Sequence, residues 1–277
     1  MSDVQLGLIG DNIARSQTPR LHRLAGELCG VEVAYDLLIP KDMGLDFDQV
    51  FARCAKGGFR GINVTYPYKE RATAKVEIDN PLVRDIGAVN TIVFTQQDPR
   101  GFNTDYSGFI AAYRGILGSR SPGVVCLIGA GGVGKAVGFG LVELGLEELR
   151  IVERDLAKAE GLATALSAAS PNLKVMVTAD AAEGAAGASG LINCTPLGMV
   201  GYEGTPLPGA LMKGAEWAFD AVYTPVDTQF LKDAEAKGLT IISGYELFFF
   251  QGVGAWGIFV GKPLDQKVLR AALARSG

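Results

Sequence analysis

Short apolar runs alternate with amphipathic stretches along the first part of the chain. Runs rich in β-branched residues predict strands, and apolar positions spaced three and four apart predict helices. Thr18 is expected to be the N-cap of a helix, with Pro19 at its first position. The predicted elements are strand Gln5–Ile9, helix Arg20–Cys29, strand Ala34–Ile39, helix Leu45–Ala55, strand Gly61–Thr65, helix Lys69–Lys75, strand Ala88–Phe94 and strand Gly101–Thr104.

The alternation restarts after Ser119–Gly123, a segment of serine, glycine, arginine and proline. The predicted elements there are strand Val124–Ile128, helix Val133–Leu144, strand Leu149–Val152, helix Ala157–Ala168, strand Lys174–Val177, a helix rich in alanine and glycine, strand Gly190–Asn193, strand Ala218–Ala221, helix Thr228–Lys237 and strand Thr240–Ile242. This repeated order predicts a doubly wound parallel sheet, and therefore an α/β fold with two units. The last stretch, Gly244–Arg275, has a helical pattern without a strand.

Composition narrows the class of protein. The chain has 277 residues, 48% of them hydrophobic and 20% charged, and a net charge of -4. That charge predicts no nucleic-acid partner and no anionic membrane surface. The four cysteines lie far apart without a C-x-x-C motif, so we expect free thiols and no metal site.

The remaining patterns predict a cytoplasmic protein. The N-terminus lacks the basic region and apolar run of a signal peptide. The most hydrophobic window, Leu247–Val260, is interrupted by Gln251 and is too short to span a bilayer. We therefore expect a buried helix there.

A glycine loop follows the strand Val124–Ile128 directly. Its G-x-G-x-x-G pattern predicts a dinucleotide site at the start of a helix. Gly129 would permit the tight turn, Gly131 the approach of a pyrophosphate, and Gly134 close packing of the helix on the sheet. The alternative is a tight structural turn without a ligand.

The residues after the next strand bear on the choice between NAD and NADP. Glu153 ends that strand, where a carboxylate accepts hydrogen bonds from both hydroxyls of an adenine ribose. Arg154 favours NADP instead, because a guanidinium pairs with a 2′-phosphate, although Asp155 would offset it. The pattern favours NAD and leaves NADP possible.

A dehydrogenase that acts on an alcohol also needs a group that takes the hydroxyl proton. The single histidine, His22, lies one turn into a predicted helix, which favours a structural role. Lys69 follows a polar strand end at the start of a predicted helix, where the helix dipole would lower its proton affinity. Asp105 follows a second polar strand end and would orient the lysine, although most such charges are surface charges.

Eight segments in order resemble the shikimate dehydrogenase family over essentially the whole chain. They are Ser16-Gln17-Thr18-Pro19 with His22, Ile62-Asn63-Val64-Thr65-Tyr66-Pro67-Tyr68-Lys69, Gly87-Ala88-Val89-Asn90-Thr91, Asn103-Thr104-Asp105 with Gly108, Gly129-Ala130-Gly131-Gly132, Asn193-Cys194-Thr195-Pro196-Leu197-Gly198-Met199, Asp220-Ala221-Val222-Tyr223-Thr224-Pro225, and Gly244-Tyr245-Glu246-Leu247 with Gln251. The resemblance implies a substrate-binding and catalytic domain at 1–105, a Rossmann-type dinucleotide domain at 106–243, and a C-terminal helical segment at 244–277 that packs back on the first domain.

The resemblance also implies roles for individual residues. Lys69 and Asp105 would form a catalytic dyad for the reversible oxidation of shikimate to 3-dehydroshikimate. The expected substrate-binding residues are Ser16, Thr18, Thr65, Asn90, Tyr223 and Gln251. The expected cofactor-binding residues are Gly129, Ala130, Gly131, Gly132, Val133, Gly134, Glu153, Arg154, Thr195, Ala221 and Gly244.

Two departures from the family pattern concern the substrate range and the cofactor. Shikimate-specific members usually have Ser-x-Ser where this chain has Ser16-Gln17-Thr18, and members that also accept quinate tend to have threonine there. The usual NADP-type members have Asn-Arg-Thr where this chain has Glu153-Arg154-Asp155. Both departures favour an NAD-using branch that also oxidises quinate.

Two alternative functions remain. One is a non-catalytic sensor of shikimate-like ligands, and the other is an unrelated Rossmann dehydrogenase. The sequence does not distinguish a monomer from a homodimer.

Overall fold

The computed structural model describes residues 2–275. The chain divides into two compact units. One, here called the split unit, comprises the chain up to Thr104 together with the chain from Phe249 onward. The other, here called the central unit, is Asp105–Phe248.

The helices and strands follow one another in an order close to the predicted one. Up to Phe102 they are β1 (Val4–Ile9), α1 (Thr18–Cys29), β2 (Val33–Leu38), α2 (Phe47–Lys56), β3 (Gly61–Val64), a 3₁₀ helix (Arg71–Lys75), α3 (Pro81–Ile86), β4 (Thr91–Val93) and β5 (Arg100–Phe102). After it they are α4 (Thr104–Leu117), β6 (Val124–Ile128), α5 (Gly132–Glu143), β7 (Glu148–Val152), α6 (Leu156–Ala169), β8 (Lys174–Thr178), α7 (Ala181–Ala185), β9 (Gly190–Asn193), a 3₁₀ helix (Gly209–Leu211), β10 (Trp217–Asp220), α8 (Gln229–Ala236), β11 (Thr240–Ile242), α9 (Gly244–Val260) and α10 (Gln266–Ala274).

Two local predictions at helix starts are wrong. Thr18 is the first residue of α1 and not its N-cap, which is Gln17 without a capping side chain. The helix predicted to begin at Lys69 is a five-residue 3₁₀ helix that begins at Arg71. Because so short a helix has only a small dipole and starts two residues later, the dipole argument made for Lys69 lacks the helix it requires.

The central unit has the Rossmann sheet that the sequence predicts. Within the described residues its six strands run in the order β11-β10-β9-β6-β7-β8, and every neighbouring pair is parallel. The strand order reverses between β6 and β9, which defines the switch point where ligands bind in such sheets. The α/β class with a doubly wound parallel sheet is confirmed.

The described residues of the split unit form a mixed sheet of order β2-β1-β3-β4-β5. β1 pairs in parallel with β2 and β3, whereas β4 pairs antiparallel with β3 and β5. A short loop joins β4 to β5, which suits an antiparallel pair, whereas the parallel pairs are joined through helices.

The C-terminal helices are part of the split unit. A Cβ on Gly61 of β3 would lie 2.6 Å from the ring of Phe259 in α9, so glycine allows this helix to pack directly on the sheet. Arg20 of α1 donates hydrogen bonds to the carbonyl oxygens of Ala272 and Leu273, at 3.2 and 2.6 Å. These bonds satisfy carbonyls at the end of α10 that have no partner within the helix.

No helix among residues 2–275 is both long and apolar enough to cross a membrane. No group of three or more His, Cys, Asp or Glu side chains in that range is arranged to hold a metal ion.

Candidate active site

A network of polar side chains connects residues of the sheet in the split unit with Thr104 and Gln251; all are buried except Gln251, which is partly buried. We call it the polar network; its members are Tyr35, Asn63, Asn90, Thr91, Thr104 and Gln251. The Tyr35 hydroxyl donates to Asn63 Oδ1 at 2.8 Å, and Asn63 Nδ2 donates to Thr91 Oγ1 at 3.1 Å. Thr91 Oγ1 in turn donates to Asn90 Oδ1 at 3.1 Å.

Asn90 connects this network to the first turn of α4. Its Oδ1 accepts from the backbone amide of Thr104 at 2.8 Å, and its Nδ2 donates to Thr104 Oγ1 at 3.0 Å. Gln251 Oε1 lies 3.5 Å from both Asn90 Nδ2 and Thr104 Oγ1, which is longer than an ordinary hydrogen bond. These two contacts of Gln251 are therefore weaker than the bonds between Asn90 and Thr104.

Strand register explains why these side chains meet. Asn63 of β3 lies directly opposite Thr91 of the antiparallel strand β4, and Thr91 lies opposite Phe102 of β5. Asn90 therefore ends beside the residues that follow β5, among them Thr104. Burial of so many polar atoms is tolerated because each finds a partner.

Ser16 and Thr18 form a second polar pair at the start of α1. Ser16 Oγ donates to Thr18 Oγ1 at 3.0 Å and accepts from the Thr18 backbone amide at 3.2 Å. Neither side chain acts as the N-cap of the helix, since the N-cap residue is Gln17. The pair is instead a fixed set of two hydroxyls.

Lys69 and Asp105 are both buried, with 9% and 3% of their surfaces exposed. The Lys69 carbonyl accepts a hydrogen bond of 2.8 Å from the amide of Val89, the residue before Asn90. Asp105 is the second residue of α4 and directly follows Thr104. Charged side chains are rarely buried this deeply unless they have partners or a function, so neither is an ordinary surface charge.

The other predicted substrate residues lie on different elements. Thr65 directly follows β3, and its backbone amide donates to the carbonyl of Ile9 at 2.9 Å. Tyr223 belongs to the central unit, where its ring stacks on Phe248 with 4.8 Å between centroids.

His22 has the structural environment that the sequence favours. It has no exposed surface, and its ring stacks on Tyr35 at 5.2 Å and contacts the ring of Phe259 at 5.6 Å. Burial lowers the pKa of His22 to about 3, a shift that Asn63 opposes only in part. The imidazole is therefore neutral at physiological pH and packs as an aromatic ring beside the polar network.

The glycine loop of the central unit has the geometry of a phosphate cradle. Gly129 has a φ of 102°, which side chains rarely allow. A Cβ on Gly134 would lie 2.0 Å from the Gly129 carbonyl oxygen, whereas one on Gly131 meets no described atom within 4 Å. Gly131 is the N-cap of α5 without a capping side chain, so the first amides of α5 (Gly132, Val133 and Gly134) can donate to an anion. These features fit a dinucleotide pyrophosphate.

Glu153 lies beside this loop. Ile128 and Val152 are paired in register, so the loop and Glu153 leave the sheet side by side. The Glu153 carboxylate accepts from the amide of Ala130 at 3.0 Å and from the amide of Asp155 at 3.2 Å. Arg154 is exposed, and the Asp155 side chain accepts from the amide of Lys158 as the N-cap of α6. The Asp155 carboxylate therefore caps α6, and its charge is not used only to offset that of Arg154.

A second buried carboxylate, Asp220, lies at the carboxyl end of β10 with no exposed surface. It accepts hydrogen bonds from Asn193 at 2.9 Å and from Thr228 at 2.5 Å. Burial raises the pKa of Asp220 to about 6, while the hydrogen bonds act in the opposite direction.

Three predicted cofactor residues lie around Asp220. Thr195 donates to the Asn193 side chain through its amide and its hydroxyl, at 2.9 and 2.7 Å. The amide of Ala221 donates to the Asn193 carbonyl at 2.8 Å, and a Cβ on Gly244 would lie 2.8 Å from the Asp220 carbonyl oxygen.

Several of these residues have no role predicted from the sequence. They are Tyr35, Asn63, Thr91, Thr104, Asn193 and Asp220. The sequence feature that could have revealed them is a polar residue within or at the end of an apolar strand, as at Asn63, Asn193 and Asp220. A polar group in such a strand requires a buried partner, but the sequence does not say which one.

Comparison with known proteins identifies the family. Residues 8–92 match the model of the shikimate dehydrogenase substrate binding domain. A shikimate dehydrogenase (NADP(+)) from Pseudarthrobacter chlorophenolicus is 36% identical over 96% of this chain and 92% of its own length. The chain belongs to the shikimate dehydrogenase family. That family includes members named for either dinucleotide, and a quinate/shikimate dehydrogenase (NAD(+)) from Corynebacterium efficiens is 34% identical over 97% of this chain and 96% of its own length.

A solved structure has the same fold over nearly the whole chain. The quinate dehydrogenase from Corynebacterium glutamicum, solved in complex with NAD, superposes with a TM-score of 0.86 at 30% identity. The match covers 98% of this chain and 99% of that chain. Membership in this family makes the protein an NAD(P)-dependent oxidoreductase that acts on a small molecule.

Proposed function

We propose that this protein is a shikimate dehydrogenase that reversibly oxidises the hydroxyl at carbon 3 of shikimate to give 3-dehydroshikimate. We further propose that it prefers NAD to NADP, and that quinate is a second substrate. The observation that carries the proposal is the bond between Asn90 and the amide of Thr104, because it holds the start of the helix that bears Asp105.

The proposed catalytic dyad is Lys69 and Asp105. The bond from the Val89 amide fixes the main chain at Lys69, and the Asn90 side chain fixes the main chain at Thr104. The main chain of Lys69 is therefore held directly, and the main chain of Asp105 is held at the residue before it. Such preorganisation is what an acid–base pair needs, since misplacement by about 1 Å can cost about 100-fold in rate.

When bound at the glycine loop beside Glu153, the dinucleotide would supply the hydride acceptor for carbon 3. Lys69 Nζ takes the proton from the hydroxyl oxygen at that carbon, and the Asp105 carboxylate orients Lys69 and stabilises its ammonium form. Both groups are deeply buried, so the surrounding water is excluded and their electrostatic interaction with the substrate is strengthened.

Neutral donors and acceptors would bind the rest of the substrate. A ring with several hydroxyls and one carboxylate requires many directed hydrogen bonds, which Ser16, Thr18, Thr65, Asn90, Tyr223 and Gln251 can supply. The Ser16–Thr18 pair presents two hydroxyls in a fixed relation. Thr18 stands where shikimate-specific members usually have serine and where members that also accept quinate tend to have threonine, which supports the acceptance of quinate.

The preference for NAD rests on Glu153. Its carboxylate is held beside the glycine loop by the amides of Ala130 and Asp155, at the end of β7 where a ribose would lie. Two ribose hydroxyls could donate to it, whereas a 2′-phosphate would meet a like charge. The exposed Arg154, which directly follows Glu153, is a cation that would favour NADP.

A matrix of initial rates tests the proposal. Shikimate and quinate are each assayed with NAD+ and with NADP+ under identical conditions. We expect turnover of both acids, with a higher kcat/KM for NAD+ than for NADP+. Binding of shikimate without turnover would support the sensor alternative, and a higher kcat/KM for NADP+ would contradict the cofactor preference.

A further inference from the structure

The Asp220 carboxylate joins three separate segments of the central unit. Oδ1 accepts from the amide of Val222 and from Asn193 Nδ2, both at 2.9 Å. Oδ2 accepts from Thr228 Oγ1 at 2.5 Å. The donors come from the end of β9, from the segment after β10 and from the N-cap of α8.

The bond to Asp220 determines which way the Asn193 amide faces. Asn193 Oδ1 accepts from the amide and the hydroxyl of Thr195, and Nδ2 also donates to the carbonyl of Leu197 at 3.0 Å. A rotated amide would direct its oxygen at the Asp220 carboxylate and at the Leu197 carbonyl, so acceptors would face acceptors. The carboxylate therefore selects the one orientation in which Asn193 holds Thr195.

Thr195 lies against the glycine loop. A Cβ built on Gly129 would lie 2.9 Å from Thr195 Cγ2 and 2.8 Å from the carbonyl carbon of Cys194. The amide of Cys194 donates to the carbonyl of Ile128 at 2.7 Å. A shift of the segment that carries Thr195 would therefore change the space around the turn at Gly129.

We propose that Asp220 is a positioning residue for dinucleotide binding: its carboxylate orients the Asn193 amide and thereby holds Thr195 against the glycine loop. The inference rests on the proposed function, since it requires that the glycine loop binds NAD or NADP. Asp220 itself is fully buried, so it acts through Asn193 and touches no ligand.

A set of variants separates positioning from stability alone. Asp220→Ala removes the acceptor for all three donors, and we expect the Kd for NAD+, measured by calorimetry well below the Tm, to rise about tenfold, equivalent to about 1.4 kcal/mol. Asp220→Asn should keep the parental Kd, because its oxygen can still accept from Asn193 and Val222 while its amide donates to Thr228. Phe230→Leu, a change in the buried core of the same unit, should lower the Tm without changing the Kd.

A second substitution keeps the test decisive if Asp220→Ala fails to fold. Asn193→Ala leaves the Asp220 bonds to Val222 and Thr228 in place and removes the side-chain bonds that Asn193 makes with Thr195, Leu197 and Asp220, so it should raise the Kd for NAD+ to a similar extent. Parental Kd values in the folded Asp220→Ala and Asn193→Ala proteins would overturn the inference. A Kd for Asp220→Asn as weak as that of Asp220→Ala would also overturn it. If the parent binds neither NAD+ nor NADP+, the proposed function fails, and this inference fails with it.

Discussion

The side chain of Asn90 accepts a hydrogen bond of 2.8 Å from the backbone amide of Thr104, the residue immediately before Asp105. Asn90 is almost fully buried, so the loss of its side chain would leave the amide of Thr104 without this acceptor. One amide side chain thus joins the strand β4 region to the first turn of α4.

Asn90→Ala should reduce both stability and activity. We expect a loss of about 1–3 kcal/mol in the free energy of unfolding, because a buried donor loses its acceptor. We also expect kcat/KM for shikimate to fall about 100-fold, because the first turn of α4 is no longer fixed. Asn80→Ala is the matched control, since Asn80 caps α3 and accepts from the amide of Leu82. It should cost about 1 kcal/mol in stability and leave the kinetics unchanged.

Lys69→Ala and Asp105→Ala should each lower kcat by about 100-fold to 10,000-fold, the usual contribution of acid–base catalysis. Circular dichroism should show a folded protein in both cases. Lys75→Ala removes a partly exposed lysine that pairs with Asp48 and should leave kcat unchanged. Turnover near the parental value in either Lys69→Ala or Asp105→Ala would exclude the dyad.

Glu153 and Arg154 should have opposite effects on cofactor choice. Glu153→Ala removes the carboxylate acceptor, so kcat/KM for NAD+ should fall about tenfold, in line with about 1.4 kcal/mol of lost hydrogen bonding. The ratio of NADP+ to NAD+ activity should rise. Arg154→Ala should leave the kinetics with NAD+ unchanged and weaken those with NADP+. An equal loss with both cofactors in Glu153→Ala would argue against a role in selecting the 2′-hydroxyl.

Two alanine substitutions in the glycine loop should have different effects, one on cofactor affinity and the other on stability. Gly131→Ala places a methyl group where no described atom lies within 4 Å, so stability should change by less than about 1 kcal/mol while the Kd for NAD+ rises. Gly134→Ala places one 2.0 Å from the Gly129 carbonyl oxygen, which should cost about 1–3 kcal/mol or more through overpacking. Thermal unfolding and calorimetric titration of both proteins measure the contrast. A tight Kd in Gly131→Ala would argue against a pyrophosphate at the loop.

His22 should make the fold sensitive to acid. Its pKa is about 3 in the folded protein and about 6.5 in the unfolded chain, so only the unfolded chain gains a proton between these values. The stability associated with the neutral ring is complete above pH 6.5 and is lost as the pH falls towards 3. Relative to His22→Phe, the parent should lose about 1.4 kcal/mol per pH unit in that window.

Denaturant unfolding of both proteins at several pH values checks this prediction. The other titrating groups contribute equally to both curves, so the difference isolates His22. A difference in unfolding free energy that does not change between pH 6.5 and pH 4 would show that the ring is protonated in the folded state.

Elements that depend on local pattern could be predicted from the amino-acid sequence alone. β6, β9 and β11 were predicted with the bounds the structure has, because short apolar runs between turn residues favour strands over helices. The glycine loop could also be predicted from neighbouring residues alone, since its pattern specifies a turn and a helix start within a few residues.

Features that depend on residues distant in sequence could be seen only in the folded protein. The helix expected at Lys69 is a 3₁₀ turn, and α3 and α4 were not predicted, since short or mixed segments take their conformation from the contacts around them. The polar network likewise required the register of β3 against β4 to bring Asn63 opposite Thr91. The link from Asp220 to Asn193 required the pairing of β9 with β10. A polar residue in a buried strand shows that a partner must exist, but only strand pairing determines which residue that partner is, because the two lie far apart along the chain.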